Sequence, residues 1–298
     1  MELHIACPIC NSYGNSRVIY QSTVNPKSFS AEIFSARRIP DRQHYQWVRC
    51  KTCGLLRSDP VIQMDLNELY ENSSFDYSTE VNGLKKTYLG IVKKVIGKNN
   101  GYHTIFEIGG GNGFFLEAAK DLGFTKIAGV EPSIAAISNA REDIKPYLVN
   151  SMMNEYIFPK NEYEIGVMFH VLDHLQDPVK TLQDCLSALK PGGVFIAAVH
   201  NERSWSARLM RERSPIIDVE HTYLYSLKTG KQIFQKAGFM NVCSGSYSNH
   251  YSLAYIVHLL PISRSAKQIL LNSWVGAILR KIKIIFPLGN MWISGIKL

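Results

Sequence analysis

Short apolar runs alternate along the chain with longer stretches in which apolar residues recur at helical spacing. One such run, Thr104-Ile-Phe-Glu-Ile108, leads straight into Gly109-Gly-Gly-Asn-Gly113 and then a helical segment from Phe114 to Leu122. A second, Lys126-Ile-Ala-Gly-Val130, ends in Glu131, and a third, Val194-Phe-Ile-Ala-Ala-Val199, follows Leu189-Lys-Pro-Gly-Gly193. Upstream, Leu66 to Ile96 reads as helical and bears tyrosines, and Lys98-Asn-Asn-Gly101 marks a break after it. Downstream, Thr229 to Ala237 reads as a helix capped by Gly238, Phe239 opens a sixth strand, and Met291 to Lys297 forms a last, antiparallel one. Between these strands, residues 252–286 read as an amphipathic helical insertion that includes Ile278 to Phe286.

Strand, glycine loop and helix make the first unit of a doubly wound sheet, which binds its ligand beyond the carboxyl end of the strand. Glycines let the backbone approach that ligand, and the helix start offers free N–H groups. A dinucleotide fingerprint beginning at Gly109 would need glycine at 114, where this chain has Phe114. Glu131, at the end of the second strand, can accept both hydroxyl hydrogens of a ribose. Because NAD enzymes use the same device, Glu131 alone does not name the ligand.

Composition adds a second unit. With 298 residues, 46% hydrophobic and 19% charged, the chain has room for one large α/β domain and a smaller appendage. No leader and no apolar run of membrane-spanning length is visible, so the expected compartment is the cytoplasm, where six cysteines serve metal or packing rather than disulfides. Cys7-Pro-Ile-Cys10 and Cys50-Lys-Thr-Cys53 are two Cys-x-x-Cys knuckles, whose tight turns can aim Cys7, Cys10, Cys50 and Cys53 at one tetrahedral Zn²⁺. A closed four-thiolate shell makes that metal structural. The long gap between knuckles leaves room for a hairpin over Ser28 to Trp47, and Gly54 stands where a knuckle needs positive φ. Cys185 and Cys243 read as packing residues.

The formal charge of +8 is concentrated near the two ends of the chain, with no acidic residue from Pro261 onward. A phosphorylated small molecule, a nucleic acid or an anionic membrane surface would suit it, as would a plain solvated basic face. The basic insertion permits peripheral membrane contact, although packing on its own domain is the default.

Glu107-x-Gly109-x-Gly111-x-Gly113 resembles motif I of class I S-adenosylmethionine-dependent methyltransferases. The segments Val167-Met-Phe-His-Val-Leu-Asp-His-Leu-Gln-Asp-Pro178 and Leu189 to Val199 are similar to later motifs of that family, in order. The resemblance covers Thr104 to Phe239. It implies a Rossmann-like α/β sheet with an antiparallel last strand, a cofactor held by Glu107, Gly109, Gly111, Gly113, Glu131, Ser151, Met152 and His170, and an acceptor side near His174. Glu164 replaces a common aspartate, and Asn150-Ser151-Met152 lacks the usual acidic adenine contact.

Asp218-Val-Glu-His221-Thr-Tyr-Leu-Tyr-Ser226 resembles the Glu-His signature of zinc-containing sugar C-methyltransferases. That likeness implies His221 as the base and Glu220 as a holder of acceptor hydroxyls, with Asp218 and Leu224 departing from the pattern. Histidine suits the role, since its unperturbed pKa is about 6.5. The alternative is a His221 that only packs its loop. Leu69 to Tyr77 resembles a closing segment of those relatives, making Tyr70 and Tyr77 candidate lid residues, with interdomain packing as the alternative.

The expected organisation is a zinc-binding module over 1–60, a helical linker or lid over 61–100, and the methyltransferase domain over 101–298. The expected reaction is methyl transfer to a small, anionic acceptor, a sugar or nucleotide-sugar, on carbon or oxygen. Two rivals stay open. An RNA methyltransferase would also pair zinc with this fold, against which stand the long gap between knuckles and a strand-4 segment unlike the Asn/Asp-Pro-Pro-Tyr motif of enzymes that methylate nucleic-acid amino groups. A non-catalytic binding module on the same scaffold would retain no cofactor.

Overall fold

Each Cys-x-x-Cys pair closes a tight turn in the computed structural model, which describes residues 2–24, 43–62, 81–97, 101–259 and 263–298. Asn11 donates its N–H to Cys7 O at 2.8 Å, and Gly54 to Cys50 O at 3.0 Å. Both turns end in a left-handed residue, Asn11 with φ 56° and Gly54 with φ 87°, residue types that tolerate that conformation. Around the turns run β1 (Glu2–Leu3), β2 (Ser16–Tyr20), β3 (Trp47–Cys50), β4 (Leu56–Ser58) and β5 (Val61–Ile62). Strands β2, β3 and β4 pair antiparallel, and β1 pairs with β5. Trp47 and Leu56 are buried in this layer, and so is Arg57, whose guanidinium donates to Ser16 Oγ, Ile5 O and Asp59 Oδ2 at 2.9, 3.2 and 3.0 Å. These partners meet the cost of burying its charge.

Period-two alternation builds the larger layer. After helix α1 (Val81–Ile96) come β6 (Thr104–Ile108), α2 (Phe114–Asp121), β7 (Lys126–Glu131), α3 (Ile134–Ser138), β8 (Leu148–Asn150), β9 (Tyr163–Phe169), α4 (Pro178–Ala188) and β10 (Leu189–His200). Phe106, Met168, Phe195 and Ala197 point into one core; Ile105, Val167, Ile196 and Ala198 point into the other. Both faces are therefore covered, as in a doubly wound sheet. Gly166 leaves room between them: a Cβ there would lie 2.4 Å from Phe106 and 2.5 Å from Phe195. Helix α1 closes the second face, with Tyr88 stacked on Phe169 at a centroid distance of 4.0 Å.

Helix α5 (Trp205–Met210), β11 (Tyr223–Leu224), α6 (Leu227–Ala237), β12 (Met240–Ser252), α7 (Leu253–Leu259), α8 (Arg264–Asn272), α9 (Trp274–Lys281) and β13 (Lys283–Ile296) complete the described chain. The seven strands of the large sheet run in the order β8-β7-β6-β9-β10-β13-β12, with β13 antiparallel to both neighbours. This is the expected Rossmann-like α/β sheet with an antiparallel last strand. Gly238 caps α6 at φ 105°, in the left-handed region its missing Cβ allows. No helix among the described residues is long and apolar enough to cross a membrane.

Two expectations need correction. The helical insertion ends at Lys281, not at Phe286: Lys283 to Phe286 is strand, because its β-branched residues pair with a long β12, Ile284 facing Tyr251 and Ile285 facing His250. Cys185 is buried as expected, whereas Cys243 is exposed and packs no core. Most of the expected hairpin, its residues 28–42, and the lid candidates Tyr70 and Tyr77 lie outside the described residues.

The small sheet does not end at β4. Strand β11 pairs antiparallel with β4, Tyr223 opposite Arg57 and Leu224 opposite Leu56, so the segment just after His221 is its fourth strand. Arg49 adds a two-toothed ion pair to Glu202, both N–O distances being 2.9 Å. The core runs through the junction, because Cys7, Cys53 and Leu55 belong to the same apolar cluster as Tyr225 and Phe234.

Candidate functional site

At the carboxyl ends of β6 and β7 the backbone turns back on itself. Gly109, Gly111 and Gly113 take φ of 71°, 53° and 72°, the left-handed region that favours glycine. A Cβ on Gly109 would come within 2.4 Å of Val171 Cγ2, so the loop also needs glycine for space. Glu131 holds it: its carboxylate accepts from the N–H of Gly111 at 2.8 Å and of Ser133 at 2.9 Å. Ser151, just past β8, donates its N–H to Glu131 O at 3.3 Å, and Met152 is 39% exposed beside it.

Glu107 is buried and its Oε2 has no hydrogen-bond partner among the described residues. Burial first, and the nearby Glu131 charge second, hold its carboxyl well above the usual range. Burial likewise raises Glu131, against the pull of its two N–H donors. An orphaned buried acid beside a glycine cradle and a second carboxylate fits a ligand with a cationic amino group and a ribose. The α-amino group and ribose hydroxyls of S-adenosylmethionine match these donors and acceptors.

One strand along, the carboxyl ends of β9 and β10 gather four histidines around one carboxylate. His170 follows β9 directly at φ 54°, a strained value for a residue with a Cβ, fixed by its N–H bond to Ala198 O at 2.7 Å. Its Nε2 pairs with Tyr247 Oη at 3.1 Å, and its ring packs on His200 at 4.6 Å. His200 Nδ1 donates to Asn290 Oδ1 at 2.9 Å, and His174 Nδ1 to Glu220 O at 3.1 Å. His221 Nδ1 donates to Asp218 Oδ1 at 2.7 Å, the same oxygen that takes the N–H groups of Glu220 and His221. At the centre sits Asp173, 1% exposed, with His221 Nε2 at 3.6 Å and His174 Nε2 at 3.8 Å.

The four rings differ in basicity. Burial, with His200 adding to it, pushes His170 down to about 3. Burial also pushes His200 down to about 4 and lowers His174. For His221 burial again acts downward and is the largest influence, but Asp218, Asp173 and Glu220 outweigh it and lift the ring to about 9. His221 is thus far more basic than an ordinary histidine, and its Asp218 partner fixes the tautomer that presents Nε2.

The expected residues therefore fall into two neighbouring groups: Glu107, Gly109, Gly111, Gly113, Glu131, Ser151 and Met152 around the loop, and His170, His174, Glu220 and His221 around Asp173. Sequence reasoning passed over His200 and treated Asp218 only as a departure from a pattern. The available signal for His200 was its place at the carboxyl end of a central strand, where an open sheet presents its site.

The cysteine sulfurs form a third group. One Sγ from each of Cys7, Cys10, Cys50 and Cys53 lies within 4.8 Å of the others, with Cys7 to Cys53 at 3.3 Å and Cys10 to Cys50 at 3.5 Å. Four thiolates on one Zn²⁺ stand about 3.8 Å apart, so this donor set fits the ion with small adjustments.

Comparison with known proteins agrees with the fold. The profile of the methyltransferase domain family matches residues 83–244. A ubiquinone biosynthesis O-methyltransferase of Rhodopseudomonas palustris is 29% identical over 107 residues, covering 35% of this chain and 42% of that protein. One from Caulobacter vibrioides is 32% identical over 106 residues, 33% of this chain and 41% of that one. The chain spans about half the length, or less, of these curated relatives. Among solved structures, phosphoethanolamine N-methyltransferase 2 of Haemonchus contortus with bound S-adenosyl-L-methionine superposes with a TM-score of 0.51 at 16% identity, over 86% of this chain and 64% of that one. An Archaeoglobus fulgidus SAM-dependent methyltransferase gives 0.50 at 21% identity, over 74% and 100%. With the family profile matched over more than half its length, on the sheet and glycine loop that such domains share, this chain belongs to the methyltransferase domain family.

Proposed function

We propose that the chain transfers a methyl group from S-adenosylmethionine to a small anionic acceptor, a sugar or nucleotide-linked sugar, on carbon or oxygen. The observation that carries the cofactor part is Glu107, a fully buried carboxylate with an orphaned oxygen beside a glycine loop braced by Glu131. Glu107 would hold the amino group of the methionine portion, Glu131 the ribose hydroxyls, and Ser151 and Met152 the adenine edge. Bound there, S-adenosylmethionine supplies an electrophilic methyl group on a sulfonium.

On the acceptor side His221 Nε2, in the neutral form that prevails only above the ring's raised pKa of about 9, takes the proton of the attacking group, while Asp218 on Nδ1 keeps the ring aligned and stabilises its charged form. Glu220 and His174 border the same space and orient acceptor hydroxyls. An anionic carrier is supported by a cavity of about 300 Å³ between the cysteine module and α5, lined among the described residues by Arg17, Arg49, Arg203, Arg208 and Arg211 against the carboxylate of Glu202. Relatives named for O-methylation in ubiquinone biosynthesis support a small-molecule acceptor.

Zn²⁺ on the four cysteines would be structural: with every coordination position filled by thiolate it has none to offer a substrate. Its task is to hold the sheet to which the segment after His221 is bonded.

The test is a methyl-transfer assay with nucleotide-sugars, read as S-adenosylhomocysteine release. Turnover with at least one sugar nucleotide, lost in His221→Ala, supports the reading; turnover on RNA alone would replace the acceptor.

A further inference from the structure

We propose that His170, Asp173 and His200 form a second metal site, separate from the four cysteines, which takes one divalent first-row transition ion on two imidazoles and a carboxylate. One donor atom from each of the three lies within 4.8 Å of the others. Donors sharing an ion at about 2.0–2.2 Å stand roughly 3 Å apart, so binding draws these side chains inward by about 1–2 Å.

The hydrogen bonding around the cluster is the pattern of a metal site's supporting groups. A metal-bound histidine gives its outer nitrogen to a hydroxyl, carbonyl or carboxylate, which fixes the tautomer and aims the inner nitrogen at the ion. His170 commits Nε2 to Tyr247 Oη, and its Nδ1 is buried with no partner among the described residues. His200 commits Nδ1 to Asn290 Oδ1, which leaves Nε2 as its free lone pair. Most telling is Asp173, 1% exposed, with neither carboxylate oxygen accepting a hydrogen bond among the described residues. A buried carboxylate without donors is costly, and a bound cation is one of the few things that removes that cost.

The competing account is a proton: a charged His221, 3.6 Å from Asp173, would neutralise it with no metal at all. That account leaves His170 Nδ1 unexplained. It also gives no reason for two rings braced from outside at 3.1 and 2.9 Å to converge on one acid. Imidazole with carboxylate suits zinc, iron, cobalt or nickel, and a two-histidine, one-carboxylate face leaves positions open. On the methyl-transfer reading, an open position would hold an oxygen of the acceptor beside His221; binding of the ion itself does not rest on that reading.

The experiment is metal titration of the full chain. Protein freed of metal is reloaded with cobalt(II), and bound metal is counted by elemental analysis alongside the visible spectrum. We expect two equivalents: one with intense sulfur-to-metal charge transfer from the cysteines, and one with only weak ligand-field bands. Asp173→Asn and His200→Asn should each bind one equivalent and lose the second spectrum. Saturation at one equivalent, or a second equivalent that survives both variants, overturns the site. If Asp173→Asn fails to fold, the wild-type spectrum and His200→Asn, which can keep the contact to Asn290, still decide. A second equivalent in a protein that transfers no methyl group leaves the metal site standing and removes the methyl-transfer reading instead.

Discussion

Ser58 donates its backbone N–H to the carbonyl of Thr222 at 2.9 Å, joining β4 of the cysteine module to the residue after His221. Ser58 Oγ donates to His221 O as well, at 3.3 Å. The loop that carries the proposed base is therefore one strand of the module's own sheet. On the proposed reading, a metal held by the cysteines, far along the chain from His221, would act on catalysis through this seam.

Stripping that metal, or substituting Cys53→Ser, should loosen the seam and lower turnover at least 10-fold while affinity for S-adenosylmethionine changes by less than about 3-fold. Calorimetry and steady-state kinetics on the same samples separate the two; equal loss of both would mean that the module supports the whole domain.

His221→Ala should lower kcat by about 10²–10⁴, the usual range for a general base. Asp218→Asn, which keeps the size of the side chain, should lower it less, with little change in KM for the cofactor. An unchanged kcat in His221→Ala would return that residue to loop packing.

Gly109→Ala meets two obstacles, a left-handed φ of 71° and a Cβ 2.4 Å from Val171. A cost of about 1–3 kcal/mol is expected from the backbone alone, visible as a lower Tm and a cofactor affinity down more than 10-fold.

Phe106 is completely buried, with Phe158, Tyr163 and Phe195 rings at 4.9, 5.2 and 5.9 Å. Phe106→Ala should cost about 3–5 kcal/mol in denaturant unfolding, and a loss below about 1 kcal/mol would contradict this packing.

Much of the sheet was legible because its central strands, buried on both faces, are short apolar runs, and its glycine loop sits at a fixed place between strand and helix. Ile282 to Phe286 was misread because Ile-Lys-Ile-Ile suits an amphipathic helix nearly as well as a strand, and only pairing with β12 decides between them. Glu107, Glu131 and the cysteine knuckles could be read locally, since their partners lie within a few residues or share a motif. His200 could not: it meets His170 and Asp173 only after β9 and β10 align in parallel, and its bond to Asn290 requires the antiparallel β13 as well. The union of module and domain was equally hidden, because β4 and β11 lie far apart in sequence and each is too short to announce a strand.

The central claim is that the loop between Glu107 and Glu131 binds S-adenosylmethionine. The most direct measurement is calorimetric titration of the full chain with S-adenosylmethionine and, separately, with NAD, repeated on Glu131→Ala. Removing charged hydrogen bonds of about 1.5–3 kcal/mol should weaken S-adenosylmethionine binding roughly 10- to 150-fold, and NAD should not bind. No heat with S-adenosylmethionine, or equal affinity in Glu131→Ala, would contradict the account.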